Sequence, residues 1–376
     1  MSGIYLHIPF CKKLCHYCDF YHIISPDDRA VFISALLKEV EIRGDYLMKE
    51  PVSTIYFGGG TPSVLSVREA EQILEYIVKH FGVEKECEIT FEINPDDATG
   101  SYLKDLKLSG INRISLGVQS WRDEDLRLLN RRHTGEQASE ALKAIFDAGF
   151  GNVTIDLIYG IPGMTLPGWK ANLDMALSFD IKHLSAYHLT IENGTVFGKM
   201  REKGLFKEIN EEESIASFNL LTEKMEQAGF MHYEISNFAK PGYLSVHNTN
   251  YWKQVPYLGL GPSAHSFNGY SRQWNIRDLK RYIHAVNEGR PFYQKEELDL
   301  RTRFNEYIMT SLRTMWGIDL EYLEKVFEKE GYDYVMNLSG KFLNYGLMEH
   351  GKKTLVLTNQ GKMISDNIIR EFLMTD

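Results

Sequence analysis

Three of the four cysteines in the chain, Cys11, Cys15 and Cys18, stand close together, with three and then two residues between them. Thiolates held this near to one another repel unless a metal centre neutralises them. An iron-sulfur cluster suits such a loop, and three thiolates leave one iron of a [4Fe-4S] cluster open to an outside ligand where a fourth would close it. The rival is structural zinc with a distant histidine or Cys87 as fourth ligand, but zinc motifs usually come as two short pairs and no second pair exists here. Three cysteines packed as ordinary core residues are the remaining reading. The aromatic residues Tyr5, Phe10, Tyr17 and Phe20 suit a cluster shielded from water, and they suit ordinary core equally. Cys87 stands apart in Glu86-Cys87-Glu88-Ile89 and is expected to pack as a small apolar residue in or beside a strand.

A second set of polar residues falls at the ends of short β-like runs. Gly58-Gly59-Gly60-Thr61 follows Thr54-Ile55-Tyr56-Phe57, Glu92 ends the run from Glu88, Gln119 follows Arg113 to Val118, and Asp156 lies within Asn152 to Ile158. Polar groups within or just after apolar strands need partners, and converging ones suggest a ligand. The glycine run lacks the Gly-Lys-[Ser/Thr] ending of a phosphate loop and the spacing of a dinucleotide fingerprint. Arg131 is placed to pair with a carboxylate or to sit in a surface ion pair. Glu92 has a capping role as its plain alternative. An unpaired Asp156 in so apolar a run would be costly.

The elements that must position these residues alternate strand and helix from Ile4 onward. Strands are expected at Ile4–Ile8, at the three runs just named and Glu88–Ile93, and at His183–Leu189. Ser25-Pro26-Asp27-Asp28 is read as opening a helix with acidic residues in its first turn and Phe32, Leu36 and Val40 on one face. Ser66 with Glu69, Thr134 with Gln137 and Asn210 with Glu213 form capping boxes, and Gly82 is read as closing the helix after Ser66. Ser109-Gly110-Ile111, Ala148-Gly149-Phe150 and Ala228-Gly229-Phe230 share one helix-to-strand chemistry. In each, a glycine can take the left-handed conformation before an apolar residue re-enters the core. Regular alternation of this kind predicts parallel βα units, hence an α/β fold as a partial (β/α)6 barrel, with a doubly wound sheet as the alternative.

Composition narrows the class. A chain of 376 residues is long enough for one large domain and a smaller one. Its 43% hydrophobic and 25% charged residues describe a soluble globular protein. A net charge of -9 argues against sequence-independent binding to nucleic-acid backbone. No apolar run approaches a membrane span, no signal-peptide core is present, and the few clustered cysteines do not make a disulfide framework. A cytoplasmic protein without a transmembrane segment is therefore expected.

At the CxxxCxxC loop the sequence resembles the radical S-adenosylmethionine (SAM) superfamily, in which such a loop holds a [4Fe-4S] cluster and SAM chelates the open iron. The resemblance narrows at five stretches: Tyr5 to Cys11 (YLHIPFC), Phe57 to Pro62 (FGGGTP), Glu92 to Pro95 (EINP), Ser115 to Ser120 (SLGVQS) and Asp156 to Gly163 (DLIYGIPG). In order and spacing these are similar to the HemN/HemW family, which contains an oxygen-independent coproporphyrinogen III dehydrogenase and heme chaperones. The match runs over essentially the whole chain. The resemblance implies cluster ligands at Cys11, Cys15 and Cys18. It implies SAM contacts at Tyr5, Tyr17, Gly59, Gly60, Thr61, Glu92, Gln119, Arg131 and Asp156. Backbone carbonyls of the glycine run would take the SAM amino group, and Arg131 its carboxylate. Gln119, Arg131 and Asp156 are the ones that would serve a second SAM, with His188 near another such contact.

Three features set the chain on the chaperone side of that family. Phe20 stands where the dehydrogenase has a fourth cysteine, the first strand begins within a few residues of Met1, and His247-Asn248-Thr249-Asn250-Tyr251-Trp252 fits the HNxxYW signature associated with heme. His247 is thereby read as a heme contact. A His-Asn pair beside aromatics is also a common hydrogen-bonded core cluster, and His188, His232, His265, His16 and His22 are further axial candidates. The implied function is binding of heme, a [4Fe-4S] cluster and SAM, with delivery of heme to acceptor hemoproteins such as those of respiration. The alternative is the dehydrogenase reaction, an oxidative decarboxylation of propionate to vinyl driven by SAM cleavage, or another radical SAM reaction. Peripheral, acceptor-mediated membrane contact and a homodimer complete the partner expectations.

The expected domain division is a barrel over 1–240 with its cluster loop at 11–18, a connecting segment over 241–297 and a C-terminal unit over 298–376. The last has helices at Arg303–Met315 and Leu320–Glu330, a short β-run at Lys353–Gly361 and a final helix at Lys362–Leu373. That order reads as winged-helix-like, without a basic recognition helix, and a lid or dimerisation element is preferred to a DNA-binding one.

Overall fold

A computed structural model gives the structure of the chain and describes residues 1–24 and 27–375. Six parallel strands come first in the chain and lie side by side in sequence order: β1 (Ser2–Ile8), β2 (Val52–Gly59), β3 (Val83–Ile93), β4 (Arg113–Gln119), β5 (Val153–Tyr159) and β6 (His183–His188). Sequential neighbours with no reversal of order are barrel staves, which rules out the doubly wound alternative. Between them run α1 (Arg29–Ile42), α2 (Val67–His80), α3 (Gly100–Leu108), α4 (Asp123–Leu128), α5 (Gly135–Asp147) and α6 (Leu166–Leu177). Their apolar faces and the strands make one continuous core, with Phe32, Leu36 and Val40 of α1 fully buried as their spacing predicts.

Local chemistry sets most element ends. The three capping boxes form as expected at Ser66, Thr134 and Asn210, the last opening α8 (Glu211–Gln227) after the short α7 (Val196–Glu202). Gly110, Gly149 and Gly229 all have left-handed backbone, at φ of 98°, 86° and 73°. After the second and third of these, the returning N–H groups of Phe150 and Phe230 bond to carbonyls of the finished helix, those of Ile145 and Met225. Two expectations differ. The α2 helix ends at His80 with Phe81 in extended conformation, so Gly82 does not close it. The α1 helix begins at Arg29 with no acid in its first turn, and Ser25 and Pro26 lie outside the described residues.

The stretch read as a connector is built into the sheet. After β7 (Met231–Glu234) and β8 (Asn237–Ala239), a hairpin whose β8 pairs with β6, the chain forms α9 (Val246–Trp252) and then β9 (Tyr257–Leu260), which pairs in parallel with β1. Strands β10 (His265–Phe267), β11 (Ser271–Asn275) and, beyond α10 (Leu279–Glu288), β12 (Tyr293–Glu297) extend that edge antiparallel. This sheet thus has twelve strands among the described residues, and its six barrel staves leave a gap between β1 and β6 because each bonds outward to the added strands. Glu39, fully buried on α1, fastens the extension. Its carboxylate accepts from Gly261 N (2.8 Å), Asn275 Nδ2 (2.7 Å) and the Tyr282 hydroxyl (2.5 Å).

The C-terminal part has its own core, centred on Phe304, Ile308, Leu312, Leu323, Val335, Leu355 and Phe372. It runs α11 (Leu300–Ser311), β13 (Ile318–Asp319), α12 (Leu320–Asn344), β14 (Met348–His350), β15 (Thr354–Leu357), α13 (Asn359–Met363) and α14 (Ser365–Phe372). The α12 stretch is two helices in effect, broken at Phe327 and Glu328, where Glu328 has φ of 58°. Helix, strand, two helices and a three-stranded antiparallel sheet in the order β13-β15-β14 make a winged-helix arrangement. Among the described residues no helix is long and apolar enough to cross a membrane.

Candidate functional site

One cavity of about 400 Å³ opens at the C-terminal ends of the barrel strands, where sites of this architecture are built. Its wall holds Cys11, Cys15, Cys18, Tyr17, Gly59, Gly60, Thr61, Glu92, Gln119, Arg131 and Asp156. All three clustered cysteines and all but one of the residues expected to meet SAM are therefore brought together by five strands, β1 to β5, and the loops after them. Tyr5 is the exception, since its ring faces a different cavity. His247 lines neither cavity.

The cysteine loop follows β1 and is held open rather than collapsed. Cys11, Cys15 and Cys18 are free thiols of intermediate exposure. The Thr61 hydroxyl donates to Cys11 Sγ (3.4 Å), and Arg131 Nη1 donates to Cys15 Sγ (3.4 Å). Burial pushes the Cys18 thiol up to about 11 and raises Cys11 as well, so cluster binding would release protons from them. Among the described residues no three His, Cys, Asp or Glu side chains converge as a single metal ion requires. A four-iron cube takes one thiolate per iron, and the loop's donors fit that need, with cationic Arg131 beside them.

Gly60 lets the β2 turn reach the cysteine loop. A Cβ there would meet Phe10 O at 2.8 Å and Ile8 O at 2.9 Å, and Gly60 N donates to Ile8 O (2.8 Å). Across the cavity Arg131 is fixed by Asn94 Oδ1 (2.6 Å) and Gly117 O (2.9 Å), both on its Nη2. Its Nε is buried with no partner, and it forms no ion pair among the described residues. A buried guanidinium with an unused donor is a carboxylate acceptor site in waiting. Glu92 takes the Tyr56 hydroxyl (2.7 Å) and Asp156 the Ser115 hydroxyl (3.2 Å). Burial raises Glu92 to about 8, helped by the Asp156 charge, and burial raises Asp156 to about 6 against the pull of Ser185 and Ser115. Two such carboxyls gain most from a ligand that donates hydrogen bonds, as amino and ribose hydroxyl groups do.

The sequence reading passed over Thr90, Asn94, Ser115, Thr154, Ser185 and Tyr187, which also line the cavity. They were visible in principle. Every second residue of a strand faces one side, so Glu92 implies Thr90 and Asn94, Gln119 implies Ser115 and Gly117, and Asp156 implies Thr154. Gln119 itself sits at a strand irregularity with φ of 65°, which turns it toward the cavity.

His247 lies elsewhere. It is the second residue of α9 and sits at the level of Gly3, Thr54 and Glu88, the beginnings of β1, β2 and the paired part of β3, whereas the cysteines follow the far end of β1. A strand of this length spans roughly 17–20 Å. The ring is 2% exposed and both nitrogens are engaged, Nδ1 with Thr54 Oγ1 (2.9 Å) and Nε2 with the Tyr251 hydroxyl (2.9 Å). It stacks on Tyr56 at 5.0 Å, and burial lowers it to about 3.

Comparison with known proteins fits this geometry. The radical SAM superfamily model matches residues 5–176. The chain is 32% identical to the heme chaperone HemW of Bacillus subtilis, over 99% of each. The chain belongs to the HemW family. A second HemW, from Lactococcus lactis, is 32% identical over all of this chain and 98% of its own. The solved structure of coproporphyrinogen III oxidase (HemN) from Escherichia coli shares the fold, with a TM-score of 0.86 over 99% of this chain and 90% of that one, at 24% identity.

Proposed function

We propose that the chain is a heme chaperone that carries a [4Fe-4S] cluster on Cys11, Cys15 and Cys18, binds SAM beside it, and passes heme from the cytoplasm to acceptor hemoproteins. The observation that carries this reading is the cavity itself, three thiols beside an unpaired buried guanidinium, in a chain that aligns end to end with proteins named heme chaperones. When bound, the cluster supplies an open iron for SAM and a one-electron donor. The chain's own residues have three tasks there. Arg131 offers its free Nε to a carboxylate, Glu92 and Asp156 accept from amino and hydroxyl donors, and Tyr17 with the strand ends keeps water out.

The test is a hemin titration of the anaerobically reconstituted full chain, with transfer to an apo-hemoprotein followed spectrally. Saturable uptake near one heme per chain and its passage to the acceptor are expected. Weak, unsaturable binding would overturn the reading. Vinyl product formed at catalytic turnover from coproporphyrinogen III, SAM and reductant would replace it with the dehydrogenase.

A further inference from the structure

A second cavity, of about 800 Å³, occupies the gap between β1 and β6. Its size lies within the range of pockets that enclose most of a small-molecule ligand, roughly 300–1,000 Å³. It adjoins the first cavity, because Phe20, Tyr187 and Asn248 line both. Tyr251 and Trp252, the last residues of α9, form part of its wall, so the signature stretch faces it with its aromatic end and not with its histidine. Helix α11 of the C-terminal unit covers it with Glu306, Met309 and Thr310, and Arg313 joins them from the turn that follows.

The state of the histidines selects one of them. The chain has twelve. Among the described residues, only His265 and His350 have both ring nitrogens without a hydrogen bond or ion pair, while His133 and His183 each keep a buried Nδ1 free on the first cavity or beside it. Both are exposed, but His350, on β14, lines neither cavity, whereas His265, the first residue of β10, lines the second. Its one ring neighbour is Trp274, at 6.3 Å and near parallel. His7 also reaches this cavity, but its Nε2 is 2.8 Å from Tyr21 O, its Nδ1 3.4 Å from the Tyr5 hydroxyl, and it is buried. Burial and the charge of Arg272 both lower His265, which leaves its imidazole neutral and its lone pair free.

The same wall offers a place for acid groups. Arg272, on the neighbouring β11, pairs with Glu306 through Nη2 (2.9 Å), while its Nε is buried and has no partner. Arg277 and Arg313 stand at the cavity with Asp19 (3.9 Å) and Asp366 (2.7 Å) as their own partners. The remaining acid, Glu234, is raised to about 7 by burial and so is partly uncharged at neutral pH. A flat apolar ligand with a metal at its centre and carboxylates at its edge matches aromatic walls, one free imidazole and one guanidinium with a donor to spare.

Resting on the heme-chaperone reading, we propose that iron porphyrin binds in this second cavity with His265 as axial ligand and Arg272 as partner of a propionate. His247 then serves to hold α9 in place.

The test is titration of the reconstituted full chain with hemin and, separately, with metal-free protoporphyrin IX. His265→Ala is expected to weaken hemin binding at least 10-fold and shift its Soret band, with added imidazole restoring the band, and to leave metal-free porphyrin binding unchanged. His265→Cys should bind hemin with a thiolate-type spectrum, a gain that misfolding cannot imitate. Arg272→Gln should weaken both porphyrins alike. A His265→Ala protein with wild-type hemin affinity and spectrum would overturn the placement while leaving the chaperone reading intact. Absence of saturable hemin binding by the wild type would overturn both.

Discussion

Thr54 Oγ1 lies 2.9 Å from His247 Nδ1, and that pair ties the signature helix α9 to β2 at the end of the barrel opposite the cysteines. Glu88 completes the tie by accepting from the backbone N–H groups of Val246 (3.2 Å) and His247 (3.0 Å). Removing the ring would leave a cavity under Tyr56 and strand two buried hydroxyls. His247→Ala is therefore expected to cost about 2–4 kcal/mol of folding stability, read from urea unfolding. His247→Gln, which can keep one of the two bonds, should cost less. A His247→Ala protein as stable as the wild type but unable to bind hemin would make the histidine a ligand and not a strut.

Arg131 offers a second check. Its Nε has no partner and Nη2 is already satisfied by Asn94 and Gly117. Arg131→Met keeps the volume and removes the charge. SAM affinity of the reconstituted protein should fall about 10- to 100-fold, the worth of a charge-assisted pair. Iron content should hold, because Cys11, Cys15 and Cys18 remain. Equal loss of iron would mean that Arg131 holds the loop through Cys15 and not the ligand.

Much of this was legible before any coordinates. The six strands, three capping boxes and three left-handed glycines follow from local chemistry, and local chemistry is what a sequence carries. Cys11, Cys15 and Cys18 are near in the chain, so their convergence needed no fold. The hidden parts are those set by distant segments. Glu39 looks like any helical acid until Gly261, Asn275 and Tyr282 close on it, and residues 241–297 read as a connector because short strands extending a sheet edge carry little periodic signal. His265 was one of several histidines open to an axial role, and nothing in its local sequence set it apart from the others.

Glycine substitutions separate two kinds of requirement. At Gly149 a Cβ meets nothing within 4 Å, so Gly149→Ala should cost only the backbone strain of φ at 86°, about 1 kcal/mol. At Gly60 the new carbon would strike main-chain atoms of Ile8, Pro9 and Phe10 at 2.8–3.0 Å, which cannot rotate away. Gly60→Ala should displace the cysteine loop and lower iron incorporation by half or more, measured by iron and sulfide content after reconstitution. Full incorporation in Gly60→Ala would show that the loop tolerates the shift.

Glu92 makes both stability and ligand binding depend on pH. Burial raises its carboxyl from 4.5 to about 8, so the folded chain keeps a proton that the unfolded chain gives up. Over that window the unfolded state binds fewer protons, and stability falls as pH rises from about 4.5 through 8, the contribution being complete only below the lower value. Asp156, raised to about 6, adds to the slope in the lower part of the window. In the SAM-free protein, Glu92→Gln should flatten the curve of unfolding free energy against pH and raise stability near pH 8. A ligand that donates hydrogen bonds to Glu92 favours its ionised form, so SAM binding near pH 7 should expel a proton. Calorimetry in two buffers of different ionisation enthalpy reads that proton directly, and Glu92→Gln should reduce the difference between them. Equal heats in both buffers for the wild type would show that SAM leaves this carboxyl protonated.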